Sequence, residues 1–343
     1  MKVKPVVDRL ESRRVDVQLV HTGQHYDKTM SAVFFAELGL RAPDHWLGVG
    51  SGSQAHQTAA AMTALEALVA DLDPDVIVVV GDVNSTLAGA LVAAKACVPL
   101  AHVEAGLRSG DRTMPEEVNR IVTDHLSQRL FAPSQDAVDN LAAEGVTAGV
   151  HLVGNVMIDT LAANIERARA RPVLAGFGLE AGGYGLVTLH RPSNVDDPAT
   201  LRGLLDALGA VAEACPLLFP AHPRTAERVA GLNAPAGVEI VEPLGYLDFL
   251  ALEASARIVL TDSGGVQEET TALGVPCVTL RRTTERPITV TEGTNTVAGT
   301  SPAAIVATAR AVLDNPPQPR RPALWDGHAA ERIATILVEA GVG

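Results

Sequence analysis

His102-Val-Glu-Ala-Gly-Leu-Arg-Ser-Gly-Asp-Arg-Thr-Met-Pro-Glu-Glu-Val-Asn-Arg120 carries an apolar strand into a polar turn and, after Pro115, into a helix. A proline at the first helical position presets the backbone of the opening turn. Glu104 therefore leaves a strand end, while Glu116 and Glu117 stand in the first turn of the next helix. Open α/β sheets bind ligands at the carboxyl ends of their strands, so Glu104 and Glu116 are candidates to face one cleft as acid/base groups. Acids in a first helical turn also complement the helix dipole, and that simpler role is the one expected of Glu117.

The same rhythm extends in both directions. Short β-branched runs alternate with longer helical patterns, the pattern of βαβ units and a parallel sheet. The expected strands are Val15–Val20, Val76–Val80, Val98–Val103 and Leu130–Ala132 in the first half. In the second they are Gly185–Leu189, Leu217–Pro220, Val238–Val241, Ile258–Thr261 and Cys277–Leu280. The polar, Arg/Ala/Gly-rich stretch from about Ala163 to Gly183 separates the two series. The expected architecture is α/β, with two Rossmann-like domains, 1–165 and 166–343, facing each other across a cleft of the kind that favours ligand sites. The last helical pattern, Ala329–Ala340, is expected to return to the first domain. At the start, Val3, Val6, Val7 and Leu10 recur at helical spacing, so the chain opens on a helix and the first strand of the N-terminal domain is missing.

Composition narrows the function classes. The 343 residues suit two domains rather than one core, and 47% hydrophobic residues can fill both. A net charge of −13 argues against nucleic acid or an anionic membrane as partner, so an anionic ligand needs a local cluster of cations. Cys97, Cys215 and Cys277 lack CxxC spacing and read as reduced, buried thiols of a cytoplasmic protein. No apolar run reaches membrane-spanning length, and Met-Lys-Val-Lys-Pro lacks the apolar core of a secretion signal.

The nucleotide candidate is Ile258-Val-Leu-Thr-Asp-Ser-Gly-Gly-Val-Gln-Glu-Glu269, a strand that runs through Ser263, Gly264 and Gly265 into a helix. Free N–H groups at a helix start meet phosphate. Glu269, one turn further on, is placed to accept from both hydroxyls of a ribose, as an acid does in dinucleotide folds. A plain serine cap explains the turn equally well. Three other strand ends add to the nucleotide reading. Asp82 follows Val80-Gly81, with Asn84 and Ser85 opening a helix; His222 sits between prolines in Phe219-Pro-Ala-His-Pro-Arg224; His190 and Arg191 end Leu189-His-Arg-Pro192. Histidine beside arginine at two strand ends points to a diphosphate, and Arg281 and Arg286 extend the positive charge. Arg282 reads as an exposed, solvated side chain.

Taken together, TGQHYD at 22–27, GDVNSTLAGA at 81–90, HVEAGLRSGDRTMPEEVNR at 102–120, LHRPSN at 189–194, FPAHPR at 219–224, TDSGGVQEE at 261–269 and TTERPIT at 283–289 closely resemble the non-hydrolysing UDP-N-acetylglucosamine 2-epimerases. The resemblance covers nearly the whole chain. It implies a GT-B-like pair of Rossmann domains, a homodimer, and interconversion of UDP-N-acetylglucosamine and UDP-N-acetylmannosamine without a redox cofactor or a metal. It implies that Asp82, Glu104, Glu116 and His222 match catalytic positions. Ser263 and Glu269 match uridine nucleotide ligands, with Gly264 and Gly265 at the phosphate turn, and His190, Arg191 and Arg286 lie near the cleft. Inversion then proceeds by elimination of UDP to a 2-acetamidoglucal and re-addition with the proton on the other face. Two faces need two proton-transfer groups, and Asp82, Glu104 and Glu116 divide those roles in an order the sequence leaves open. A silent UDP-sugar-binding protein and a GT-B glycosyltransferase are the alternatives.

Two departures from the family pattern stand out. The opening strand and its GxRPE-like or GxRPQ-like loop are absent; only the helix remains, with Lys2 at about the place of the family's lysine. Residues upstream of Met1 are therefore expected to belong to the native protein, and the 343-residue form to be weakly active until extended. Gln24 is kept, but Asp27 in TGQHYD puts control by the substrate itself in question.

Overall fold

The computed structural model describes residues 1–23, 37–221, 223–232 and 234–341. The chain divides into two compact units, Met1–Thr160 with Ala323–Gly343, and Leu161–Pro322.

The first unit opens on the helix Val3–Ser12 and continues through β1 (Val20–His21) and β2 (His45–Trp46), which pair in parallel. After the helix Gln54–Leu72 come β3 (Ile77–Val80), β4 (Leu100–Val103), β5 (Arg129–Ala132) and β6 (Val150–Leu152), joined by the helices Asn84–Ala96, Pro115–Leu126 and Gln135–Ala143. These four strands form a parallel sheet in chain order. All four residues of β4 are buried, and strands covered on both faces run apolar along their length; the polar exception, His102, belongs to the site described below. Val6 and Leu10 of the first helix and Ile333 and Leu337 of the helix Ala329–Glu339 join Ala101, Val103 and Phe131 in one core. Asp159 starts that last helix by accepting from the N–H groups of Ala329 (3.0 Å) and Ala330 (2.7 Å).

The second unit holds six parallel strands: β7 (Gly185–Thr188), β8 (Leu217–Pro220), β9 (Val238–Val241), β10 (Ile258–Thr261), β11 (Cys277–Thr279) and β12 (Asn295–Val297). Their order, β12-β11-β10-β7-β8-β9, is doubly wound. Its direction reverses between β7 and β10, and such a reversal opens the crevice in which α/β sheets bind ligands. Leucines of the helix Pro198–Ala212 pack with Leu217, Phe219, Ile258 and Val278 in the larger core of this unit.

Several expectations need correction. The strand expected over Val15–Val20 shrinks to Val20–His21, because side chains satisfy the preceding backbone: Arg41 Nη2 donates to the Val17 carbonyl (2.6 Å) and Leu19 N–H donates to Asp44 (2.7 Å). β2, β6 and β12, each two or three residues long, were not expected. The helices Val156–Arg169 and Val173–Gly176 occupy much of the stretch read as a polar separator. Cys97 is exposed, at the end of the helix Asn84–Ala96, whereas Cys215 and Cys277 are buried. No helix among the described residues is long and apolar enough to cross a membrane.

Candidate active site

In the first unit Val80 pairs with Val103, so Gly81-Asp82 and Glu104 leave adjacent strand ends. Gly81 N–H donates to the Val103 carbonyl (3.0 Å), and Glu104 N–H donates to that of Phe131 (3.1 Å). Glu104 has φ +70°, a left-handed conformation costing about 1–2 kcal/mol for a side chain of this kind. Strain of that sort persists where the surroundings enforce it, and it gathers at functional sites. The Glu104 carboxylate is buried and ion-paired with Lys2, while its Oε1 has no hydrogen-bond partner among the described residues. Beside it Gly81 has φ +75°, in the left-handed region that favours glycine.

Asp82 is partly exposed and accepts from Arg120 Nη1 at 2.5 Å. Asn119 fixes its backbone by donating to the Asp82 carbonyl (2.9 Å). Glu116, in the first turn of the helix that follows, is half-buried, and its carboxylate makes no hydrogen bond among the described residues. Glu117 does more than complement a dipole: it is buried, accepts from Ser109 N–H (2.9 Å) and Gly110 N–H (2.8 Å), and pairs with Arg120 Nη2 (3.0 Å). It thereby clamps the turn between β4 and its helix and holds the guanidinium that reaches Asp82. Arg120 is easily passed over in the sequence, where its sole cue is helical spacing, four residues after Glu116 and three after Glu117.

In the second unit the expected nucleotide residues meet at the reversal of the sheet. His190 and Arg191 follow β7, and Asp262 to Gly265 follow β10. Asp262, also passed over in the sequence, organises them: it is fully buried and accepts from His190 N–H (3.1 Å), Arg191 N–H (3.0 Å) and Asn194 Nδ2 (3.0 Å), with His190 Nδ1 at 2.9 Å. Burial favours its neutral form, yet these donors, His190 first, hold the carboxyl below its ordinary range. Ser263 caps the helix Gly264–Leu273.

The arginines expected to supply positive charge are already partnered. Arg286 pairs with Glu268 and Glu285 (2.6 Å each), Arg281 with Glu285 (2.6 Å) and Arg191 with Glu285 (3.2 Å). Three guanidiniums face Glu268 and Glu285, with the Asp262 carboxylate also against Arg191, so their charge is largely neutralised within the protein. Burial opposes the charge on Glu285, but the three arginines hold its carboxyl far below the usual range, and burial draws Arg191 downward. Gly264 permits this crowding: a Cβ there would sit 2.4 Å from Arg286 Nη1. Glu269 is buried and accepts from the Tyr246 hydroxyl (2.9 Å); burial pushes its carboxyl up to about 7. Arg282 is exposed. His222, Gln24 and Asp27 lie outside the described residues.

The family profile for UDP-N-acetylglucosamine 2-epimerase matches residues 8–338. A UDP-N-acetylglucosamine 2-epimerase of Methanocaldococcus jannaschii is 40% identical over 349 residues, which cover 98% of this chain and 95% of the relative. A crystal structure of the M. jannaschii UDP-GlcNAc 2-epimerase in complex with UDP-GlcNAc and UDP matches with a TM-score of 0.91 and 41% identity, covering 98% of this chain and 96% of that one. A UDP-2,3-diacetamido-2,3-dideoxy-D-glucuronate 2-epimerase of Pseudomonas aeruginosa is 40% identical over 334 residues, 96% of this chain and 93% of the relative. With its two Rossmann-like units, its acids at neighbouring strand ends and a match of nearly full length, the chain belongs to the UDP-N-acetylglucosamine 2-epimerase family, whose members are isomerases.

Proposed function

We propose that the chain interconverts UDP-N-acetylglucosamine and UDP-N-acetylmannosamine by removing the C2 proton, breaking the C1–O bond to UDP, and re-adding UDP to the 2-acetamidoglucal with a proton delivered to the other face. The observation that carries this reading is the pair Asp82 and Glu104, on adjacent strand exits and each beside a cation. Such a pair supplies two proton-transfer groups, each contributing on the order of 10²–10⁴ in rate when correctly protonated. Glu116 completes the acid set. Lys2 sits on Glu104, and Arg120 on Asp82.

The second unit takes the nucleotide. Ser263 and the Gly264–Gly265 turn receive the diphosphate at the helix start, His190, Arg191 and Arg286 lie along it, and Glu269 takes the ribose hydroxyls. His222 is assigned to charge growing on the leaving diphosphate. Proton transfer thus belongs to the N-terminal part of the chain, 1–165, and nucleotide binding to 166–343. Neither silent binding nor transfer to an acceptor is favoured, since both leave the paired acids without a task. A homodimer acting in the cytoplasm is part of the same proposal, and light scattering tests the dimer. The chemistry is tested by incubating the protein with UDP-N-acetylglucosamine in D2O without nicotinamide. Deuterium at C2 and a second UDP-sugar are expected, whereas retention of the C2 proton with acceptor-dependent UDP release would support a glycosyltransferase instead.

A further inference from the structure

His102 is the one ionisable side chain in β4, and it is completely buried. Its ring spans two structural groups. Nε2 lies 2.8 Å from the Gly81 carbonyl, which only accepts, so Nε2 is a donor; Nδ1 lies 2.6 Å from Asp124 Oδ1. The other oxygen of Asp124 takes the N–H of Gly106 (3.0 Å) and Arg108 Nη1 (2.7 Å). Burial works against charge on Asp124, yet His102 and Arg108 hold its carboxyl below the ordinary range. Gly106 stands two residues after Glu104, and Gly81 one residue before Asp82. A continuous chain of hydrogen bonds, Gly106 N–H to Asp124 to His102 to the Gly81 carbonyl, therefore ties the turn bearing one acid to the turn bearing the other.

We propose that His102 is a positioning residue which, held by Asp124 and holding the Gly81 carbonyl, sets the separation of the Asp82 and Glu104 carboxylates. The proposal rests on the assignment of those two acids to proton transfer. Fixing the Gly81 carbonyl fixes the plane of the Gly81–Asp82 peptide, and with it the direction in which the Asp82 side chain leaves the backbone. The Asp82 carboxylate is itself held by Arg120, so a rotated peptide sets the two restraints against each other. His102 itself touches neither acid by a hydrogen bond; it acts through the backbone.

Two substitutions separate its two bonds. His102→Asn keeps an amide where Nδ1 stands, facing Asp124, but is too short to reach Gly81. His102→Gln carries its amide nitrogen close to the place of Nε2 and keeps a donor for Gly81. Deuterium wash-in at C2 of UDP-N-acetylglucosamine reads turnover, with melting temperature and UDP affinity measured on the same preparations. His102→Asn is expected to lower kcat about 10²-fold, the scale of a misplacement near 1 Å, with KM and UDP affinity unchanged. His102→Gln is expected to recover turnover to within about tenfold of the parent. A fully active Asp82→Asn variant would show that the acid assignment is at fault. An inactive Asp82→Asn beside a His102→Asn that turns over like the parent would overturn the positioning role alone. Equal losses in the Asn and Gln variants that track melting temperature, or failure of both to fold, would also overturn it, since His102 would then serve only the core.

Discussion

Replacing Glu269 by glutamine should raise the stability of the unliganded protein while weakening its hold on UDP, and both effects should depend on pH. The carboxyl is buried, accepts from the Tyr246 hydroxyl at 2.9 Å and sits near Glu268. Burial is the main cause of its rise from 4.5 to about 7; the Tyr246 hydroxyl only partly offsets it. Between those two values the folded chain keeps a proton that the unfolded chain has lost, so stability falls as pH rises through that window. The penalty is fully present above about pH 7. At about 1.4 kcal/mol for each tenfold change, it amounts to about 3 kcal/mol. Glutamine carries no charge, still accepts from Tyr246, and removes a negative neighbour from the buried Glu253, whose own carboxyl is pushed well up by burial and then by Glu269. Thermal unfolding at pH 8 should therefore show Glu269→Gln melting higher by roughly 6–12 °C, with the difference vanishing near pH 4.5. Ribose hydroxyls, in contrast, bind best to the ionised acid. Calorimetry should show the variant's UDP affinity reduced by about 10–100-fold at pH 8, because hydrogen bonds to a charged acceptor are lost. The gap between parent and variant should narrow about tenfold at pH 6, where only about one in ten Glu269 carboxyls is ionised. A variant that melts lower than the parent at pH 8, or an affinity ratio identical at the two pH values, would refute the reasoning.

Glu104→Gln should abolish solvent exchange at C2 while leaving UDP binding nearly intact, and calorimetry beside NMR in D2O checks the split; equal loss of affinity in Glu104→Gln and Glu269→Gln would sink it. Arg120→Met removes a buried cation from between Glu117 and Asp82, and denaturant unfolding should show a loss of about 3–5 kcal/mol, much of it from Glu117 left in the core. Gly264→Ala places a methyl group where Arg286 Nη1 lies 2.4 Å away; the arginine must move, so UDP affinity should fall by more than the change in melting temperature alone would imply.

What the residues settle unaided is local in origin. β8, β9 and β10 run over the residues expected of them, Leu217–Pro220, Val238–Val241 and Ile258–Thr261, because short, mostly apolar runs bounded by turns form buried parallel strands almost wherever they are placed. Pro115 starts its helix and Ser263 caps another for equally local reasons. The motifs named the acids and the nucleotide turn, and with them the family.

Tertiary structure decided which partner each of these groups has. Nothing near Glu117 in the chain shows that its carboxylate closes a turn and holds Arg120 against Asp82, and nothing around His102 announces a bond to Gly81 on the neighbouring strand. The arginines after β11 read as free positive charge, but Glu268 and Glu285 neutralise most of it. Glu269 read as a simple acceptor, and burial in the folded chain, only partly offset by the Tyr246 hydroxyl, pushes its carboxyl up to about 7. The short strands β2, β6 and β12 exist because a neighbour offers them an edge. Backbone propensity acts over a few residues and is written in order along the chain. Charge, strain and hydrogen-bond partnership inside a protein depend on which distant segments exclude water from one another, and only the folded arrangement sets that.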